Sequence, residues 1–198
     1  TDVGEHNEMR LHGADWNDAL DMAWEKGESV AFTCAYAGNL RNIAKTLRQL
    51  EEISGSSKIE IAHEMEDLLA GSVELYEDAA RKQALLAGYA KKCEHNISGD
   101  TIVVRLDQLA ANLEEKADWM MKNIRANEWV KDGEDGWFNG YYDNHGRKVE
   151  GVMDESVRMM LTGQVFAIMS GTATEDQVES ICRSADKYLY DQKAGGYR

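Results

Sequence analysis

The chain contains no proline among its 198 residues. Average usage of about 5% would supply roughly ten. Proline breaks helix interiors, because it lacks a donor and clashes with the preceding turn. Its absence agrees with a mostly helical chain. Cysteine is scarce, and Cys34, Cys93 and Cys182 are widely spaced without a CxxC pair. Three isolated thiols argue against a disulfide framework or a zinc site and for reduced cysteines in a cytoplasmic protein. No apolar run reaches the length of about 18 residues that a membrane helix needs. Basic residues are few, 22 against 36 acidic, for a net charge of −14. Nucleic-acid binding needs positive charge at phosphates and is not expected. The surplus acid reads as a solvated face, and an anionic substrate would need a local basic site. No nucleotide-type glycine cradle occurs. Neither Asp15-Trp16-Asn17-Asp18 nor Asp132-Gly133-Glu134-Asp135-Gly136 follows a calcium loop. Neither a metal nor an organic cofactor is expected.

What the chain does contain is concentrated in Gly13-Ala14-Asp15-Trp16-Asn17-Asp18-Ala19-Leu20-Asp21. Three carboxylates, an amide and an indole share one short segment. That set suits sugar chemistry: an aromatic face for the ring, polar groups for hydroxyls, and a carboxyl group to protonate a leaving oxygen. Asp15 or Asn17 could equally cap a helix starting near Ala19, since short polar side chains accept from first-turn N–H groups. The two roles are compatible.

Helical periodicity dominates the remainder. Val30, Cys34, Ala37, Leu40, Ile43, Ala44, Leu47 and Leu50 recur at three- and four-residue steps, predicting a helix over Glu28 to Ile53 that Gly55 ends. Ser57 with Glu60 forms a capping-box pattern for a second helical stretch from Ile59 towards His95, which Gly71 and Gly88 kink or divide. Leu106, Leu109, Ala110, Leu113, Ala117, Met120 and Ile124 make a third stripe, read as a core face. Met159, Met160 and Met169 are read the same way. Between Asp132 and Gly151 the pattern changes to clustered glycines with Trp137, Phe138, Tyr141 and Tyr142. This predicts a short β-hairpin or structured loop, with Asp143-Asn144-His145-Gly146 as a turn. Its aromatics either pack inward or form a sugar platform. A helix is expected from about Asp154 to Met169. Thr174 with Gln177 is a second capping box, for a last helix reaching about Tyr190. The total is five or six helices without a fixed repeat.

Leu11-His12-Gly13-Ala14-Asp15-Trp16-Asn17-Asp18-Ala19-Leu20-Asp21 resembles the catalytic segment of glycoside hydrolase family 94, the inverting phosphorylases of β-linked disaccharides and oligoglucans. Further pieces agree in order. Lys26-Gly27-Glu28-Ser29-Val30 is similar to the family's next helix start. Gly136-Trp137-Phe138 with Tyr141-Tyr142-Asp143 is similar to its aromatic loop. Gln164-Val165-Phe166-Ala167 with Ser170-Gly171, and Gly195-Gly196-Tyr197-Arg198, resemble later elements. Asp18-Ala19-Leu20-Asp21 and the stretch from Gly27 to Thr33 look nearest to the β-1,2-oligoglucan phosphorylases and the phosphorylase-like domains of cyclic β-1,2-glucan synthases. Cellobiose phosphorylases more often read Asp-Trp-Asn-Asp-Gly-Met there.

The resemblance implies an all-α fold: part of an (α/α)6 toroid carrying a short β-hairpin or aromatic loop. Residues 1–198 would be a fragment of that one catalytic domain. It implies Asp18 as general acid, with Trp16 against the sugar rings and Asp15 and Asn17 shaping the site. Glu155 and Gln164 fall near substrate-binding positions. Inorganic phosphate would be the co-substrate and a β-linked gluco-oligosaccharide the substrate. The family's phosphate-binding histidine region would lie beyond Arg198, and several subsite residues before Thr1. His6, His12, His63, His95 and His145 are therefore read as surface or core histidines. A fragment would leave apolar faces that the remainder of the parent enzyme covers. Alone it would be catalytically silent and prone to dimerise or aggregate. An α/α-toroid hydrolase, with Glu155 as base, and a non-catalytic helical interaction domain are the competing readings.

Overall fold

A computed structural model describes residues 2–12, 18–69, 71–153 and 156–198, and the side chains of all of these except residues 18 and 19. Its longest element is helix α1, Val30–Ser54. Ser29 caps it by accepting from the Phe32 amide at 3.0 Å, relieving one of the free first-turn donors. Gly55 ends it in the left-handed region at φ 67°, returning its N–H to Glu51, a conformation that costs glycine least. The α1 face of Val30, Cys34, Ala37 and Ala44 is buried.

Helix α4, Leu106–Asn127, packs along α1. Its buried stripe is Leu106, Leu109, Ala110, Ala117, Met121 and Ile124. Leu113 and Met120 are half-buried, and Met121 takes the expected place of Met120. Arg41–Asp118 and Arg48–Glu114 ion pairs join the exposed flanks of the two helices.

Between α1 and α4 the predicted long helix does not form. Lys58–Ala62 is strand β3, and Thr101–Arg105 is β4, paired antiparallel from Lys58↔Arg105 to Ala62↔Thr101. Lys-Ile-Glu-Ile-Ala alternates with period two, and Thr-Ile-Val-Val-Arg is β-branched, so each suits a pleated partner. The partner lies some forty residues away, beyond the reach of local pattern. No Ser57–Glu60 box forms, and the Ser57 carbonyl instead accepts from the Leu106 amide. A 3-10 helix His63–Leu69, helix α2 Val73–Glu77 and helix α3 Ala79–Cys93 fill the loop between these strands. The break falls at Gly71, whereas Gly88 continues α3 without interruption.

The aromatic region is the expected hairpin: β5 Trp129–Asp132 against β6 Asp135–Phe138. Its aromatics face inward. Trp137, Phe138 and Tyr142 join Val30, Cys34, Ile124, Ala167 and Ile181 in the main core, so the packing alternative holds over the sugar platform. A three-stranded sheet, order β1–β2–β7, combines Met9–Arg10, Glu28–Ser29 and Tyr141–Tyr142. Where a helix was expected from Asp154, short strands β8 Gly151–Val152 and β9 Val157–Arg158 pair instead. Helix α5 runs only Leu161–Met169. Met159 is buried, but Met169 is 76% exposed and is not core. Helix α6, Glu175–Tyr188, starts with the predicted Thr174–Gln177 capping box and stops two residues before Tyr190. Strands β10 Tyr190–Asp191 and β11 Gly196–Tyr197 close the described chain. The fold is thus mostly helical with small antiparallel sheets. Among the described residues no helix is long and apolar enough to cross a membrane.

Candidate active site

Asp18 opens a 3-10 helix, Asp18–Ala23. Its side chain, together with Asp15, Trp16, Asn17 and Glu155, lies outside the described parts of the chain. What the structure defines is the frame on either side. Leu20 and Ala23 are fully buried against Leu11, Ala31 and Tyr141. That burial fixes the 3-10 helix onto the start of α1. Upstream, the Leu11 amide donates to the Gly27 carbonyl at 3.0 Å. Downstream, the expected turn at Asp143–Gly146 forms, with the Gly146 amide donating to Asp143. Asn144 then clamps the turn to the site segment. Its Oδ1 accepts from the amides of Glu25 (2.8 Å) and Lys26 (2.9 Å), and its own amide donates to the Met22 carbonyl.

Beside this turn a polar cavity of about 480 Å³ opens, bordered by His6, Arg10, Lys26, Glu28, Asn144 and His145. The imidazole of His6 lies flat on Tyr142, with centroids 3.7 Å apart and planes 9° apart. Its Nδ1 lies 2.7 Å from Glu28 Oε1. Glu28 also accepts from the backbone amides of His6 and Glu8. Gly4 leaves room for this carboxylate, since a Cβ on it would lie 2.2 Å from the Glu28 carboxyl carbon. His12, His63, His95 and His145 are exposed.

Behind the cavity lies a buried carboxylate layer that sequence pattern did not disclose. Tyr142 donates its hydroxyl to Glu128 at 2.7 Å, and Asn139 donates to the other Glu128 oxygen. Glu8 is fully buried, and its Oε2 has no partner among the described residues. Burial, reinforced by the charges of Glu128 and Glu28, pushes its pKa up to about 8. Glu150 is raised to about 8 as well, by burial, against the opposing hydrogen bonds from the Met160 and Gly140 amides. A raised carboxyl pKa suits a general acid, but neither group is exposed to meet a sugar. Their chemistry is internal.

Gln164 is also buried. Its Oε1 accepts from the Phe138 amide at 2.9 Å, and its Nε2 donates to the Phe138 carbonyl at 2.8 Å. Nε2 further contacts Glu150 Oε2 and the Met160 carbonyl. The side chain thus ties α5 to the aromatic hairpin. Among the described residues, no group of three or more His, Cys, Asp or Glu side chains is arranged to hold a metal ion.

Residues 103–196 match the glycosyl hydrolase 94 superfamily, catalytic domain. The chain is 24% identical over 190 residues to solabiose phosphorylase from Paenibacillus borealis, covering 95% of this chain. It spans 17% of that relative's length.

Proposed function

We propose that this chain, whose residues 103–196 match the catalytic domain of the glycosyl hydrolase 94 superfamily, belongs to that family and forms part of the catalytic domain of an inverting glycoside phosphorylase. The observation that carries the reading is the Asp15-Trp16-Asn17-Asp18 run leading directly into a 3-10 helix. Buried Leu20 and Ala23 and the Asn144 clamp hold that helix. Such anchoring suits a group that must meet a reacting atom within a fraction of an ångström. Residues 1–198 would be a portion of one (α/α)6 toroid, with the remainder of the parent enzyme covering its free helical faces.

In the proposed reaction Asp18 gives its proton to the glycosidic oxygen as the bond from that oxygen to the anomeric carbon breaks. A phosphate oxygen attacks the same carbon from the opposite face. A β-linkage becomes an α-sugar 1-phosphate, and the aglycone leaves with the Asp18 proton. Trp16 would stack on the ring, and Asp15, Asn17 and Glu155 would contact hydroxyls. Gln164 would serve the site indirectly, through the hairpin it holds. One acid suffices because phosphate is already a nucleophile, whereas an inverting hydrolase needs a second carboxylate to activate water.

The test is sugar 1-phosphate release by the full-length parent across β-1,2, β-1,3 and β-1,4 gluco-oligosaccharides, with Asp18→Asn alongside. Phosphate-dependent product lost in the variant supports the reading. Phosphate-independent release of free sugar would mean a hydrolase, and a fully active variant would remove Asp18 from the chemistry.

A further inference from the structure

A second pocket, of about 290 Å³, lies where the 3-10 helix His63–Leu69 and α2 and α3 meet α4. It shares no lining residue with the cavity beside the candidate active site. Its walls are apolar, with Leu68, Leu85, Leu113 and Trp119 prominent. Three polar tips interrupt them.

Lys82 is almost fully buried. Its Nζ sits 4.3 Å from the centre of the Trp119 ring and donates to Asn7 Oδ1 at 2.7 Å. Lys116 donates to the Leu68 carbonyl at 2.9 Å and to Asn112 Oδ1 at 2.7 Å. An ammonium has three hydrogens, so each lysine keeps donor capacity beyond these bonds. The third tip is the Tyr76 hydroxyl, buried and without a hydrogen-bond partner among the described residues. A buried phenol without a partner is costly, and a bound acceptor would relieve it. Burial lowers the pKa of both lysines to about 8, so both are still mainly charged at neutral pH.

Apolar walls with two ammonium groups and a phenolic donor that has no partner among the described residues describe an amphiphile carrying one small anion. Leucines and two methionines, Met65 and Met120, rather than a flat slot of aromatic faces, suit a flexible alkyl chain. We propose that this pocket binds a medium-chain aliphatic carboxylate, its chain against the leucine and tryptophan walls and its carboxylate at Lys82, Lys116 and Tyr76.

Calorimetric titration of the protein with octanoate, and separately with octan-1-ol, tests this. Octanoate should bind at one site per chain, about tenfold or more tighter than the alcohol, because charge-assisted hydrogen bonds reach only the carboxylate. Lys82→Met and Lys116→Met, each with an unchanged far-ultraviolet spectrum, should each weaken octanoate several-fold while leaving the affinity of the alcohol unchanged. Tyr76→Phe should weaken octanoate by less. Should Lys82→Met fail to fold, Lys116→Met decides alone. Absence of octanoate binding, equal affinity for acid and alcohol, or lysine variants that retain full octanoate affinity would each overturn the proposal.

Discussion

Gln164 pairs with the main chain of Phe138 through both ends of its amide, accepting from the N–H at 2.9 Å and donating to the carbonyl at 2.8 Å. A side chain on α5 thereby stands in for a strand partner at the end of β6. Replacing it with leucine would leave a buried N–H and a buried carbonyl without partners and remove a contact to Glu150. Each orphaned group costs about 1–3 kcal/mol. Gln164→Leu is expected to lose roughly 2–5 kcal/mol, read as a lower urea midpoint at constant slope. An unchanged midpoint would mean that water or a shifted neighbour replaces both bonds.

Much of this frame was legible in sequence because its signals are local. Gly55 and the Thr174–Gln177 box act within four residues of where they stand, and the α4 stripe repeats within one helix. What escaped was non-local. The β3–β4 pairing depends on strands separated by three helical segments, and the Ser57–Glu60 pattern imitated a helix start. Strands β8 and β9 hold two residues each, too few for periodicity to register. The buried carboxylates escaped for a related reason. Glu8, Glu128 and Glu150 come from distant segments, and only tertiary packing removes them from water. The candidate catalytic segment was legible by motif, while its anchoring at Leu20, Ala23 and Asn144 required the fold.

Glu8 and Glu150 give the protein a definite pH response. Both carry folded-state pKa values of about 8 against an ordinary carboxyl value of 4.5. Below about pH 4.5 folded and unfolded chains hold these protons equally, and the stabilisation is fully present. Between about pH 4.5 and 8 the unfolded chain releases them while the folded chain keeps them. Stability therefore falls as pH rises, by at most about 1.4 kcal/mol per unit for each group. Glu8→Gln removes one such group and leaves an amide where Oε2 had no partner. Its thermal midpoint should rise relative to the parent sequence as pH goes from 5 to 8. Glu150→Gln should behave differently, because its oxygens accept from the Gly140 and Met160 amides and an NH2 group would face one of those donors. That variant should be less stable across the whole range. Parallel melting curves for Glu8→Gln and its parent would contradict the assignment of Glu8.

Gly38 sets the approach of α1 to the end of α5. A Cβ at this position would lie 3.0 Å from both Cα and Cβ of Ser170. Two effects compete in Gly38→Ala. Helix propensity favours alanine by about 1 kcal/mol, while overpacking a tight contact costs about 1–3 kcal/mol. The obstructing atoms include backbone, so the second effect should win. A net loss of up to about 2 kcal/mol is expected, against a gain for Gly88→Ala in α3, where a Cβ meets nothing within 4 Å. Equal and positive changes at the two glycines would show that α5 shifts freely.

Asn144 separates positioning from stability. Its Oδ1 serves the Glu25 and Lys26 amides, and those bonds are solvent-exposed. In Asn144→Ala water can take over both donors, so the stability loss should stay near or below about 1 kcal/mol. The geometric loss is larger. The clamp holds the turn that borders the polar cavity against the segment that Asp18 begins, and a small misplacement of a reacting group can cost about a hundredfold in rate. In the full-length parent, Asn144→Ala should therefore lower kcat by one to two orders of magnitude, again by misplacement alone. Asn144→Asp, which keeps the accepting oxygen, should restore most of that rate. Equal kcat in Asn144→Ala and the parent would mean that buried Leu20 and Ala23 suffice to hold the site segment. A loss that Asn144→Asp did not repair would point to the Asn144 amide nitrogen as a direct contact to substrate.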